Sequence, residues 1–313
     1  MKGYLKKALA MMMAGAMVCG ILTGCGSKTT ETKAETTAET TAETTAETGA
    51  ESASGEVSAE VETIEDGVLK VAMECSYAPY NWTQPTDENG AVPISGSSDY
   101  AYGYDVMMAK YVAEKLGLEL EIVKLDWDSL VSAVVSGTVD CVIAGQSITS
   151  DRLEVVDFTT PYYYASIITL VKADGPYAEA KGVADLDGAT CTSQLSTVWY
   201  DTCIPQIPNV NKLPAQESAP AMLVALNAGK CDAVVTDMPT GMAALVAYPD
   251  FKLLDFSGTD DDYEVSEEEI NIGISVQKGS PLTAQLNEAL KDLTTEDFDS
   301  MMEEAISVQP LSE

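Results

Sequence analysis

One pattern occurs twice in the chain and limits what it can fold into. LVSAVVSG (130–137) followed by TVDCVIAG (138–145) is echoed by PAMLVALNAG (220–229) followed by KCDAVVTD (230–237). In each copy apolar residues recur at helical spacing, a glycine supplies a left-handed stop, and a short apolar run of buried-strand type follows. Gly137-x-x-Asp140 and Gly229-x-x-Asp232 stand at an offset of 92, which also puts Asp237 opposite Gly145. A helix-to-strand crossover belongs to a parallel sheet, so two such units imply two α/β lobes. Ligands of open α/β sheets collect beyond strand C-termini, so polar residues there predict facing sites across a cleft.

The first copy runs on into Gly145-Gln146-Ser147-Ile148, then Thr149 as an N-cap, then Arg152 within the first turn of the next helix. A cation at that position opposes the helix dipole by ~0.3–1 kcal/mol. It is therefore either paired on the surface with Asp151 or Glu154, or aimed at an anion. Free loop N–H groups, small hydroxyls and a guanidinium fork together fit a carboxylate or a phosphate.

At the amino end, Lys2, Lys6 and Lys7 precede an apolar run from Ala8 to Leu22, the order of an export signal. The run is short for a membrane span. It closes in Leu22-Thr23-Gly24-Cys25-Gly26, which resembles the lipobox of bacterial lipoproteins; that resemblance implies cleavage after residue 24 and lipid on Cys25. From there to Asp66 the chain is mostly Thr, Glu, Ala and Ser, too poor in apolar residues to offset its ordering entropy, and reads as a tether. About 40 residues of flexible coil have a root-mean-square reach of about 35 Å.

Composition narrows the function further. The chain carries 50 Asp and Glu against 17 Lys and Arg, and the excess persists from Gly67 onward. Nucleic acid and anionic lipid surfaces are poor partners for such a head. There is no histidine, which excludes Ser-His-Asp and Cys-His catalysis, a histidine base and histidine-ligated zinc. Of the seven cysteines, Cys75, Cys141, Cys191, Cys203 and Cys231 remain in the head, an odd number without CxxC spacing, expected mostly as buried thiols. No phosphate- or dinucleotide-binding glycine loop occurs, and no metal site or cofactor is expected.

In the head, Val68 to Met73 reads as the first strand, Asp105 to Leu116 as the first helix closed by Gly117, and Leu118 to Leu125 as the second strand. Between the first strand and the first helix lies a long loop, Tyr77 to Gly103. Val139 to Ala144 is the strand of the first repeat. Pro281 to Leu293 and Glu296 to Ile306 are helical.

Gly103-Tyr104-Asp105-Val106, Trp127-Asp128-Ser129-Leu130, Ser136-Gly137-x-x-Asp140, Ala144-Gly145-x-Ser147-x-Thr149-x-x-Arg152 and Asp157-Phe158-Thr159-x-Pro161-Tyr162 stand in that order. Together they resemble the polar amino acid substrate-binding proteins of ABC transporters, family 3 of the bacterial solute-binding proteins. The resemblance implies a two-lobed α/β fold of the type II periplasmic-binding-protein kind, with a ligand cleft between the lobes and two hinge crossings. Lobe one is then 67–164 plus 271–313 and lobe two 165–270, with crossings near Tyr164 to Ser166 and Ile270 to Ile272.

Carried over residue by residue, Arg152 clamps a ligand's α-carboxylate, aided by Ser147 and by backbone at Ala144 and Gly145. Ser196 and Thr197 make a second carboxylate contact where a helix opens, a place where an N-cap is the plain alternative. Asp237 accepts the α-ammonium, or merely caps the helix that Pro239 begins. Glu74, Tyr77, Tyr80 and Trp127 line the side-chain pocket, where a carboxylate favours a cationic or amide ligand and aromatics form the walls. Gln146 and Leu195 depart from the family's usual residues. The implied function is capture of a free polar amino acid, basic ones among the candidates, by lobe closure. Delivery is to a permease and its ATPase, by a monomeric, non-enzymatic receptor lipid-anchored outside the cytoplasmic membrane. The alternatives are a sensor head and a cyclohexadienyl-type dehydratase on the same fold.

Overall fold

The computed structural model describes residues 61–310. The signal segment, Cys25 and the tether as far as Glu60 lie outside the described residues. Strand β1 (Val68–Met73) has the bounds its sequence predicts, and buries most of its side chains in the middle of a sheet. Where a single long loop is expected, Tyr77 to Gly103 instead holds most of a small antiparallel sheet. Its strands are β2 (Ser76–Tyr77), β3 (Asn81–Gln84), β4 (Val92–Pro93) and β5 (Tyr100–Tyr102), in the order β2-β3-β5-β4. These strands are two to four residues long, below the length at which alternation registers in sequence. What holds them is cross-strand packing: Trp82 stands opposite Tyr102 in register, their rings edge to face at 5.4 Å.

Helix α1 (Tyr104–Leu116) starts at Gly103, where a Cβ would fall 2.4 Å from the Tyr80 carbonyl oxygen, and stops at the left-handed Gly117. Next comes β6 (Glu119–Lys124), an edge strand, which accounts for the charges that interrupt its apolar residues. The first repeat supplies α2 (Leu130–Val135) and β7 (Cys141–Val142). The paired strand is shorter than the expected 139–144 because the backbone turns left-handed at Gly145 (φ 63°), although Asp140 N and Ile143 N still bond to β1. Then follow α3 (Ser150–Leu153), β8 (Val156–Phe158) and, past the first crossing, β9 (Ile167–Lys172), β10 (Thr190–Thr192) and β11 (Asn211–Lys212).

The second repeat supplies α4 (Ala219–Asn227) and β12 (Ala233–Asp237), continued by α5 (Met238–Ala247) and β13 (Phe251–Leu254). After α6 (Glu267–Ile270) the chain recrosses into β14 (Ser275–Gln277) and ends in α7 (Leu282–Leu290) and α8 (Thr295–Val308), near the expected carboxyl-terminal helices.

Two five-stranded sheets result, β6-β1-β7-β14-β8 and β11-β10-β12-β9-β13, within one unit, Ser58–Glu313. In each, the first three strands are parallel, the fourth runs against the third, and the fifth runs against the fourth. Val71 pairs with Cys141 and Cys191 with Ala233, so the repeat at offset 92 has the same sheet register in both lobes. The aspartates of the repeat also do the same work. Lys70 N donates to Asp140 Oδ2 at 2.8 Å, and Thr190 N donates to Asp232 Oδ2 at 2.9 Å. Asp140 goes further and accepts Ile64 N at 2.8 Å, so the chain is tied to the sheet inside the stretch that sequence assigns to the tether. At the crossings Tyr162 N donates to Ile272 O and Ile272 N to Tyr163 O, each at 2.9 Å, which binds the two connections side by side.

Candidate amino acid site

The C-terminal ends of β1, β7, β10 and β12 bring the predicted residues together between the lobes. Asp237 ends β12 and caps α5, its Oδ1 accepting Thr240 N at 2.9 Å, so the capping alternative holds. It does more than cap. Tyr77 OH donates to Oδ2 at 2.6 Å and Tyr80 OH to Oδ1 at 3.3 Å, both from the opposite lobe, and Thr240 Oγ1 adds a bond at 3.1 Å. The carboxylate is fully buried and, among the described residues, has no cationic partner. Burial pushes its pKa up; the tyrosine and Thr240 hydrogen bonds oppose that.

Arg152 lies on the facing wall. Thr149 caps α3 through a bond from Arg152 N, as expected, and the guanidinium reaches past Asp151 and Glu154. It donates to Ser147 O at 2.8 Å and, across the cleft, to Ser196 O at 2.9 Å, with its carbon 5.3 Å from the Trp127 ring centroid. Among the described residues it forms no ion pair, so the surface-pair reading is not what the structure shows. Burial holds it down to about 10, against the opposing charge of Asp201, and it remains a cation at neutral pH. Trp127 donates from Nε1 to Leu195 O at 3.0 Å, tying the aromatic wall to the other lobe.

Glu74 is buried where β1 ends. It accepts Ser76 Oγ at 2.8 Å and, from lobe two, Gln194 Nε2 at 3.3 Å. Desolvation raises its pKa, offset in part by those two donors. Thr197 is buried and accepts Tyr200 N at 3.3 Å, so it and not Ser196 opens the helical turn. Ser196 is exposed, left-handed at φ 54°, and turns its carbonyl to Arg152. Ala144 is fully buried. Gly145 directs its N–H away from the cleft, to Tyr162 OH at 3.1 Å, and a Cβ there would lie 3.0 Å from the Tyr77 ring. Its contribution is therefore the room it leaves for that ring.

Sequence reasoning missed Gln194 and Thr240. Gln194 was reachable: the shared register makes Cys191 the counterpart of Val71, hence Gln194 the counterpart of Glu74, three residues on. Thr240 carried no signal beyond its place in the first turn of α5. The five head cysteines are buried and unbonded, and burial raises the Cys75 thiol to about 12. Among the described residues no group of His, Cys, Asp and Glu is placed to hold a metal, and no helix is long and apolar enough to cross a membrane.

Two sheets of like order, with a guanidinium supplied by one lobe and a carboxylate by the other, have the architecture of a two-lobed binding protein. The chain belongs to the bacterial extracellular solute-binding proteins, family 3, whose model matches residues 69–304. It is 28% identical over 182 residues to a probable histidine-binding protein of Campylobacter jejuni, covering 58% of this chain and 64% of that one, just under two thirds. It is 29% identical to an arginine-binding extracellular protein of Bacillus subtilis, covering 62% and 73%. Among solved structures, an amino acid ABC transporter substrate-binding protein of Streptococcus pneumoniae bound to L-arginine superposes with a TM-score of 0.66 at 26% identity, covering 78% and 95%. An ancestral amino-acid-binding protein, a precursor of cyclohexadienyl dehydratase, superposes at 0.61 and 26%, covering 77% and 95%.

Proposed function

We propose that the protein is the amino-acid-capturing receptor of an ABC importer, that it closes its lobes on a free amino acid and that it hands the ligand to a permease driven by an ATPase. The observation that carries this reading is the pair of unneutralised opposite charges on facing walls, Arg152 and Asp237. An α-carboxylate on Arg152 and an α-ammonium on Asp237 each gain charge-assisted hydrogen bonds of about 1.5–3 kcal/mol. Only the closed arrangement offers both at once, so ligand shifts the population toward it. Ser147, Ser196 and Thr197 flank the carboxylate end, while Tyr77 and Trp127 wall the side chain. Glu74, desolvated and accepting only neutral hydrogen-bond donors among the described residues, favours a ligand with a basic side chain, in keeping with what the histidine- and arginine-binding relatives are named for.

Lobe one is 67–164 with 271–313, and lobe two 165–270. The chain is exported, cut before Cys25, lipidated there and tethered outside the cytoplasmic membrane as a monomer. It is a receptor and not an enzyme: a dehydratase reading needs a cation bonded to the acid, and among the described residues the donors that reach Glu74 are neutral.

A thermal-unfolding screen of the full chain against the twenty amino acids, with Arg152→Ala alongside, tests the reading. A ligand at 100 times its dissociation constant stabilises by about 2.7 kcal/mol, an upward melting shift that is easily read. The expected result is a shift by basic amino acids in the wild type and none in the variant. If no amino acid shifts the wild type, amino acid capture is wrong.

A further inference from the structure

The cleft's two lobe-one walls rest on two residues with left-handed backbone at the ends of adjacent parallel strands. Cys75, φ 53°, follows Glu74 at the end of β1, and Gly145, φ 63°, follows the strand of the first repeat. For cysteine that conformation is strained, and such strain persists only where the surroundings impose it. Each of the two amides is held from inside. Cys75 N donates to Asn81 Oδ1 at 2.6 Å, and Gly145 N donates to Tyr162 OH at 3.1 Å. The two holders meet on one group: Asn81 Nδ2 donates to Asp105 Oδ2 at 2.7 Å, and Tyr162 OH donates to Asp105 Oδ1 at 2.6 Å.

Asn81, Asp105 and Tyr162 are all 0% exposed and are hydrogen-bonded to one another beneath the cleft. Asp105 lies in the first turn of α1, where the helix dipole favours its charge, and α1 is itself fixed by Asp105 N bonding to Tyr80 O at 2.7 Å. One end of the relay sets the turn that presents Glu74. The other sets the turn that lets Tyr77 approach Asp237 and that leads to Ser147 and Arg152.

We propose that Asp105 is a positioning residue for ligand capture, its single buried carboxylate fixing both lobe-one walls through Asn81 and Tyr162. The inference rests on the amino acid reading of the cleft. It explains why an acid with no cation among its hydrogen-bond partners occupies the core beneath a binding site: only an ionised carboxylate accepts from both holders at once. An asparagine in its place must turn a donor toward one of them.

Nuclear magnetic resonance of the full chain with Tyr162→Phe and Asp105→Asn reads the relay directly, and calorimetry with L-arginine reads its consequence. Tyr162→Phe should move the Gly145 amide proton. Asp105→Asn should move the amide protons of both Gly145, which it meets directly as well as through Tyr162, and Cys75, which it reaches only through Asn81, and each variant should weaken L-arginine binding about tenfold. A core variant in lobe two, Ile204→Val, controls for lost stability and should leave both amides and the affinity unchanged. Asp105→Asn shifting only one of the two amides, or leaving L-arginine affinity at the wild-type value, overturns the proposal. If the wild type itself fails to bind L-arginine, the ligand reading is at fault, and the two amides still decide the relay.

Discussion

The two lobes share a sheet order, a register and a helix-to-strand repeat, yet they end their central strands in different ways. In lobe one, the repeat's strand breaks at Gly145 into a loop that reaches a helix of four residues, and the charge it delivers is a guanidinium on a long arm. In lobe two, β12 runs without a break into α5, and the charge is the capping carboxylate itself. The counterpart positions Glu74 and Gln194 meet across the cleft at 3.3 Å. A common scaffold thus puts equivalent positions face to face, and divergence at those positions converts like into complementary. Lobe one contributes Arg152, Trp127 and the tyrosine hydroxyls; lobe two contributes a carboxylate and the carbonyls of Leu195 and Ser196.

The largest expected effect comes from removing the charge that lobe two supplies. Asp237→Asn keeps an acceptor for Thr240 N, so α5 stays capped, but it loses the attraction for an ammonium. Amino acid affinity measured by calorimetry should drop by about 100-fold or more. The loss should not add to that of Arg152→Ala, because each charge acts on the same bound ligand. Full additivity would mean the lobes bind independently, and the facing-site comparison would break.

A second test concerns the unlike burial of carboxylates. Asp105 is pushed up to about 6 by burial, against the hydrogen bonds from Tyr162, Asn81 and Gly145 that lower it, with Asp237 adding a like charge. Between pH 4 and 6 the folded state therefore binds more protons at this group than the unfolded state does. Its contribution is most favourable below about pH 4 and is lost as pH rises through 6, by up to ~3 kcal/mol. Denaturation of the wild type and Asp105→Asn across that range should show this slope as a difference between them. Parallel profiles would mean that Asp105 is not an isolated buried acid.

The smallest effect separates the two aspartates of the repeat. Asp140→Ala strips acceptors from Lys70 N and Ile64 N, whereas Asp232→Ala strips one from Thr190 N. At about 1.5–3 kcal/mol for a hydrogen bond to a charged group, the first should destabilise by roughly one such bond more than the second. Equal losses in a chemical-denaturation series would show that the Ile64 bond adds nothing.

The repeat, the caps at Thr149 and Gly117 and the bounds of β1 and α1 were legible because periodicity and capping are local signals. The small sheet of β2 to β5 was not, since strands of two residues are specified by partners such as Trp82 and Tyr102 and not by pattern. The residues of the cleft were legible as a set through the family's motifs. Their orientations were not: nothing in the sequence says that Gly145 turns its N–H to Tyr162, or that Ser196 offers a carbonyl while Thr197 takes the cap. Such choices are settled by long-range packing between segments far apart in the chain.

The bond from Ile64 to Asp140 also has a mechanical side. It lies at the N-terminal ends of β1 and β7, whereas Glu74 and Gly145 stand at their C-terminal ends. Tension applied from the amino end enters the sheet there and loads β1 in shear between its parallel neighbours β6 and β7, a geometry in which the ladder's hydrogen bonds resist together. The cleft lies beyond the far end of those strands, out of the line of a pull on Ile64, so a load entering there does not act across the lobes.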